Sequence, residues 1–298
     1  LTLGDNIGYQ TGVVKRRPMK RKGINFVTTG VLLQQFITKG ILWISETYNV
    51  IIIDEVHEKS LDIETLLYYI KQMTLKYWDN RTFPVIILMS ATFNERLYQS
   101  YFNIPKENYI EVEGFSFPIQ EIWLRHDSQN YMQSAIEWVR KIHITEQQDL
   151  KKQQRDIIIF VKGAADITYL TDEIWKLNND IQLVQKSGYI YPLGLNREIF
   201  IENGKRYNDI MQQIEDVKVN ECDAELRKCK ELTKIKPSRR VIISTNVAET
   251  GVTIDTLAHC IDTGYYLNAW YDSIFCSEVM TSSPVTKFMA TQRKGRVG

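Results

Sequence analysis

The sequence predicts an α/β architecture built on parallel sheets, and three observations carry that prediction. Short apolar runs such as VIIID (Val50–Asp54), DIIIF (Asp156–Phe160) and RRVIIS (Arg239–Ser244) are continuously hydrophobic, as strands of parallel sheets tend to be. Amphipathic stretches with helical spacing alternate with these runs, the pattern expected of strand–helix–strand units. The runs end abruptly in acids, hydroxyls or amides, and in open α/β sheets the C-terminal strand edge is where ligands bind.

Each element follows from its residues. GVLLQQFI, from Gly30, repeats apolar positions at helical intervals. VIIID is a buried strand. SLDIETLLYYIKQM is an amphipathic helix with Ser60 as N-cap and Glu64 shortly after it. FPVIILMSAT, from Phe83, is a second buried strand running into a loop of small residues. FSFPIQEIWLRHDSQN, from Phe115, reads as a crossing strand and then a polar connection, so the domain boundary is set near residue 125. Beyond it, YMQSAIEWVRKIHI is a helix, KKQQRD a polar link, and DIIIFVKGAADITYLTDEIWKL a strand, glycine turn and helix. RRVIISTNVAET is another buried strand, and LAHCIDTGYY a further short one.

The 298 residues suffice for two domains of ordinary size. Hydrophobic residues make up 44% and charged residues 24%, an ordinary globular composition. No apolar run is long enough to cross a bilayer, and the first residues lack the basic start and apolar stretch of a signal peptide. A first residue other than Met suggests a fragment or processed chain. Four cysteines, at 222, 229, 260 and 276, form no CxxC pair, which disfavours a zinc cluster or a disulfide framework and fits an intracellular, reducing home, cytoplasmic or nuclear. The net charge of +1 points neither toward nor away from nucleic acid. KRRPMKRK, Lys15–Lys22, is a local basic run: a solvated loop or a phosphate-facing one.

Several clusters bear chemistry, each beside a plainer reading. Asp54 and Glu55 sit at a strand tip, where one acid can hold a Mg²⁺ shell while the other orients or deprotonates water; a solvated strand end is the alternative. His57 lacks the HExxH spacing of a zinc site, so a hydrogen-bonding role across a cleft suits it better. Ser90-Ala91-Thr92 could couple neighbouring strands or merely cap a helix. STNVAETGVTID, Ser244–Asp255, packs hydroxyls, an amide and acids after a strand, suited to phosphate and ribose or to a polar turn. QRKGRVG, from Gln292, could place arginines on phosphate oxygens or could be a basic helix end.

In this order the motifs resemble those of superfamily 2 helicases, specifically the DEAH/RHA group of NTP-dependent RNA helicases. DEVHEKSLDIETLL is similar to that family's second motif and following helix. VTTGVLLQQF resembles its RNA-contacting motif, GDNIGYQTG the segment before it, and DIIIFVKGAADI its fourth motif. DEVHE and QRKGRVG also resemble the viral nucleoside triphosphate phosphohydrolase-II-like branch, for which a virion or host cytoplasm would be the setting. The resemblance implies two RecA-like domains with parallel sheets: 1–125, a partial first domain, and 126–298, a second domain truncated at its end. It implies ATP or another NTP with Mg²⁺ as cofactors, and RNA, held mainly by its backbone, as partner. Asp54 and Glu55 would organise the Mg²⁺ water shell and activate water, and His57 would link the nucleotide site to the facing domain. Ser90 and Thr92 would couple hydrolysis to strand separation. Thr28, Thr29 and Gly30 would touch RNA in the first domain, and Gly163 and Thr245 in the second, with Asn246 supporting the loop. Asp255 would reach the ribose, Gln292 position water and Arg296 contact the γ-phosphate. Arg293 would hold its motif together beside the nucleotide. TGYYLNAWYDSIF, from Thr263, is either a strand-parting hairpin or an aromatic core hairpin.

The sequence departs from the family pattern in three places. No GxxxxGK[ST] occurs, so the phosphate cradle is expected before residue 1 and this chain alone is expected not to hydrolyse NTP. The given sequence stops before the final arginine expected after Gly298. Gly251 stands where the family usually has Ser, removing a hydroxyl that senses the nucleotide. The competing reading is a non-catalytic RNA-binding or scaffolding relative, which would not need Asp54, Glu55, Gln292 and Arg296.

Overall fold

The computed structural model describes residues 3–16, 23–58, 60–79, 83–90, 95–112, 118–124, 128, 130–146, 156–196, 237–250 and 254–297. The chain divides into two compact units, Leu1–Glu113 and Gly114–Gly298. This division falls earlier than the sequence-based boundary at residue 125. Residues 118–124 form no strand, although a crossing strand was expected there.

Unit one holds two small sheets. β1 (Ile7–Gln10) pairs antiparallel with β2 (Lys15–Arg16) and parallel with β3 (Ile24–Val27). β4 (Val50–Ile53) pairs parallel with β5 (Val85–Leu88). Helix α1 (Thr29–Thr47) bends at Gly40, whose φ of 82° lies in the left-handed region that glycine adopts without strain. Helix α2 (Leu61–Tyr77) starts where the sequence predicts: the Ser60 hydroxyl accepts from Ile63 N at 3.3 Å, and Asp62 and Glu64 favour the positive end of the helix dipole. Leu66, Ile70 and Met73 of α2 pack with Phe36 and Ile44 of α1 onto Ile51 and Ile53, completed by Tyr98 of α3 (Glu95–Phe102).

The expectation that β4 and β5 are buried on both faces is met on one face alone. Strand side chains alternate, so Ile51 and Ile53 enter the core while Val50, Ile52, Val85 and Ile87 stay exposed. Within unit one, no layer among the described residues covers that second face.

Unit two is built on a four-stranded parallel sheet ordered β7-β8-β6-β9: β6 (Asp156–Phe160), β7 (Tyr189–Leu195), β8 (Pro237–Ser244) and β9 (Leu257–Asp262). Here two-sided burial holds. Ile158 and Phe160 face one core cluster with Tyr191 and Ile242, while Ile157 and Ile159 face another with Val241 and Ile243. Helices α4 (Tyr131–Thr145) and α5 (Ala164–Leu177) supply Val139, Ile167, Leu170 and Ile174 to the second cluster. α6 (Ile181–Ser187) leads into β7.

At the strand beginnings, Asp156 accepts from Arg240 N at 3.0 Å and Arg240 Nε at 2.8 Å, and Arg240 Nη2 donates to Thr256 Oγ1 at 2.6 Å. Asp156 and Arg240 are both about fully buried. Removing either would leave an uncompensated charge, at a cost of about 3–5 kcal/mol.

Past β9, β10 (Tyr265–Asp272) and β11 (Ser277–Pro284) form an antiparallel hairpin. Tyr271, Ile274 and Phe275 toward its tip are exposed, so the aromatic core alternative is not what the chain adopts. The short α7 (Val247–Thr250) follows β8, and α8 (Lys287–Lys294) follows the hairpin.

Candidate functional site

In unit one the acids stand at the tip of β4. Asp54 is exposed, and its Oδ1 accepts from Glu55 N at 2.9 Å. Glu55 has φ 53°, uncommon for a residue with a Cβ. The chain turns here into a short 3₁₀ helix, Val56–Glu58, in which Glu58 N donates to Glu55 O at 3.0 Å. The β4–β5 ladder continues to this tip through Met89 N to Ile53 O (2.8 Å) and Val56 N to Met89 O (3.2 Å). That continuation carries Ser90 to within 2.7 Å of His57 Nδ1, hydroxyl oxygen to ring nitrogen.

His57 Nδ1 also lies 3.3 Å from Glu55 Oε2, and the imidazole is 6% exposed. Glu55 Oε2 is buried and makes no hydrogen bond. Glu55, His57 and Ser90 therefore meet in one small cluster, which sequence spacing alone left open. Thr92 lies outside the described residues.

Tyr98 was not anticipated. Its hydroxyl donates to Val56 O at 2.9 Å, which pins the turn holding the acids to α3. Burial, with Glu64 nearby, pushes the Tyr98 hydroxyl above its ordinary pKa of 10, so it stays a donor. Its aromatic character signalled core packing, not this contact across 42 residues.

A second feature of unit one is a groove of about 550 Å³ between the β1–β2 turn and the first half of α1. Thr28 and Gly30 line it, with Gln10, Gln34, Lys15 and Lys39 among its polar groups. Thr29 begins α1 beside it. Lys15 and Arg16 are the described part of the basic run; residues 17–22 lie outside the described residues.

In unit two, Gly163 caps α5 and Thr245 follows β8 at the C-terminal sheet edge. Ser244 Oγ donates to Leu195 O at 3.1 Å, and Glu249 N donates to Asn246 O at 3.0 Å, which sets the loop into α7. Asp255 is exposed in the turn before β9. Gly251 lies outside the described residues.

Gln292 and Arg296 are half-buried on α8 and the turn after it. Arg293 between them is 0% exposed. Its Nη1 donates to Asp262 Oδ1 at 2.7 Å, its Nε lies 3.6 Å from Glu249 Oε2, and its guanidinium sits 5.0 Å from the Phe160 ring centre. Arg293 thus ties α8 to α7, β9 and β6. Burial pushes the Glu249 carboxyl above its ordinary pKa, opposed by Arg293.

Among the described residues, no group of three or more His, Cys, Asp or Glu side chains is placed to hold a metal ion directly. Two adjacent carboxylates at one strand tip, one exposed and one with an unbonded oxygen, do fit a hydrated Mg²⁺, which keeps its waters and needs few protein ligands. Among the described residues no helix is long and apolar enough to cross a membrane.

The chain is similar in sequence to viral and bacterial proteins described as RNA helicases, and its fold is that of a DEAH/RHA helicase. B962L of African swine fever virus, named as a candidate RNA helicase, is 34% identical over 310 aligned residues, covering 100% of this chain and 30% of that protein. The ATP-dependent RNA helicase HrpA of Borreliella burgdorferi is 29% identical, covering 100% of this chain and 31% of that protein. The chain thus spans about a third of the length of these relatives. The crystal structure of the Escherichia coli DEAH/RHA helicase HrpB shares the fold, with a TM-score of 0.70 at 20% identity over 99% of this chain and 32% of that one. No family model matches the chain.

Proposed function

We propose that this chain belongs to the motor portion of an NTP-dependent RNA helicase, with residues 1–125 in its first and 126–298 in its second RecA-like domain. The viral branch is the proposed placement, supported by the likeness to B962L. The observation that carries the reading is the Glu55–His57–Ser90 cluster, with Asp54 beside it, at the neighbouring tips of β4 and β5.

Asp54, exposed at that tip, would hold the water shell of Mg²⁺, which with the NTP phosphates supplies charge neutralisation when bound. Glu55, whose Oε2 lies 3.3 Å from His57 Nδ1, would accept the proton of the attacking water. His57 Nδ1 lies 2.7 Å from Ser90 Oγ and 3.3 Å from Glu55 Oε2, so the two compete for one ring nitrogen and a change at Glu55 would be felt in the loop after β5. Thr92 would continue the same coupling. In unit two, Gln292 would position water, Arg296 the γ-phosphate, and Asp255 and the loop at Gly251 the nucleoside. Arg293 sets the geometry of this group from within the core. Thr28, Thr29 and Gly30, and separately Gly163 and Thr245, would contact RNA through its backbone, which gives little sequence preference.

The test is RNA-stimulated NTP hydrolysis by the native polypeptide that carries this sequence. Glu55→Gln keeps the shape of the side chain but removes the base, and is expected to lower kcat about 100-fold or more. Turnover at the wild-type level in that variant overturns the proposal.

A further inference from the structure

One cluster at the C-terminal edge of the unit-two sheet has no part in the hydrolytic scheme. Val161 N donates to Ser244 O at 2.8 Å, so Lys162 and Thr245 leave neighbouring strands side by side. The Lys162 ammonium lies 5.7 Å from the ring centre of Tyr131, the first residue of α4. Tyr265, the first residue of β10, packs on Tyr131 with ring centres 5.6 Å apart and planes inclined by 38°. Tyr265 remains 41% exposed. Gly163 lies close to the root of the hairpin: a Cβ there would stand 3.0 Å from Leu267 Cδ1.

Core packing explains the contact between the two rings but leaves two facts over. A lysine at a sheet edge is free to extend into water, yet this one is held on a ring. Tyr131, with Asp166 and Tyr265 further off, keeps the ammonium above its ordinary pKa, so it is charged throughout the neutral range. The second fact is an exposed aromatic beside that cation. A fixed positive charge next to an accessible ring matches a ligand carrying a negative charge beside a flat base, which is single-stranded nucleic acid.

The geometry points to Tyr131, Lys162 and Tyr265 as a nucleotide subsite, in which Tyr265 stacks one base and Lys162 holds the adjoining phosphate. This rests on the RNA-binding reading above and adds to it a contact that depends on the base. Asp166 is buried, and its Oδ2 accepts a hydrogen bond from the Tyr131 hydroxyl at 3.1 Å. Its charge partly offsets that of Lys162, so the subsite supplies one phosphate contact and not several.

The experiment is fluorescence anisotropy with the full 298-residue chain. The probes are a labelled oligouridylate and an abasic RNA of equal length, each titrated across a range of KCl concentrations. The wild type is expected to bind the base-bearing strand more tightly than the abasic one. Tyr265→Leu should weaken the base-bearing strand by about 5- to 100-fold and leave the abasic strand unchanged, while Tyr265→Phe restores affinity. Lys162→Gln should reduce the slope of log K against log salt by up to about 0.7 on both strands. Equal wild-type affinity for the two strands overturns the subsite, as does a Tyr265→Leu variant that weakens both equally. Binding that ignores both substitutions removes the subsite and leaves the RNA-binding reading standing. A wild-type chain that binds neither strand removes both.

Discussion

His143 shows how a single residue couples the fold to pH. Its Nε2 lies 3.2 Å from Gly188 O, and the ring is 3% exposed. Burial, with Arg239 nearby, lowers its pKa from 6.5 to about 4, so the folded chain holds it neutral. The unfolded chain binds the proton more readily. The contribution of His143 is therefore complete above about pH 6.5 and is lost as pH falls from 6.5 toward 4. The loss reaches about 3 kcal/mol, from 1.36 kcal/mol per pKa unit. Glu146, bonded to Arg239 at 2.6 Å and His259 at 2.7 Å, has a lowered pKa and adds its own loss further down, below the ordinary carboxylate range. Urea unfolding at a series of pH values should show the fall beginning near 6.5, and His143→Leu should flatten it between 6.5 and 4. An unchanged profile in that variant would contradict the assignment.

At the scale of elements, the junction of α6 and β7 depends on one glycine. Gly188 caps α6 with φ 73°, and a Cβ there would stand 2.6 Å from Ser238 Cβ. Both the backbone conformation and the space exclude a side chain. Gly188→Ala should destabilise by about 1–3 kcal/mol, visible as a melting temperature several degrees lower; an unchanged melt would show that the strand tips can move apart. This dependence was not legible in the sequence, because Ser238 lies far along the chain. The same holds for Tyr98 on Val56 and for Arg240 with Asp156. What was legible is local: Ser60 as a cap, the helical spacing of α2, the triple isoleucines of β4 and β6. The tip acids were legible as a pair, since an apolar run that stops at Asp54 leaves them nowhere else to go. The meeting of the neighbouring His57 with Ser90 was not, because it needs the register of β4 on β5. The face left open by Val50, Ile52, Val85 and Ile87 was also misread, since a continuously apolar strand gives no sign of which side will be covered.

For the whole molecule, the two units have separate cores and unequal coverage. Unit two encloses its sheet on both faces, whereas unit one leaves one face of β4 and β5 exposed. A polypeptide of residues 114–298 is therefore expected to unfold cooperatively alone, as domains with their own core do. Residues 1–113 alone should melt at lower temperature and bind an apolar-surface dye such as ANS. A broad, non-cooperative melt of 114–298 would show that its core needs the rest of the chain.

Arg293 has a practical consequence for anyone surveying this protein by saturation mutagenesis. On the proposed function, a screen scoring activity alone would rank position 293 with 55 and 296, because every replacement at 293 loosens four elements at once. Paired with a readout of cellular abundance, the three positions separate. Replacements at 293 are expected to deplete the protein itself, while those at 55 and 296, on the roles proposed for them, would leave its abundance unchanged.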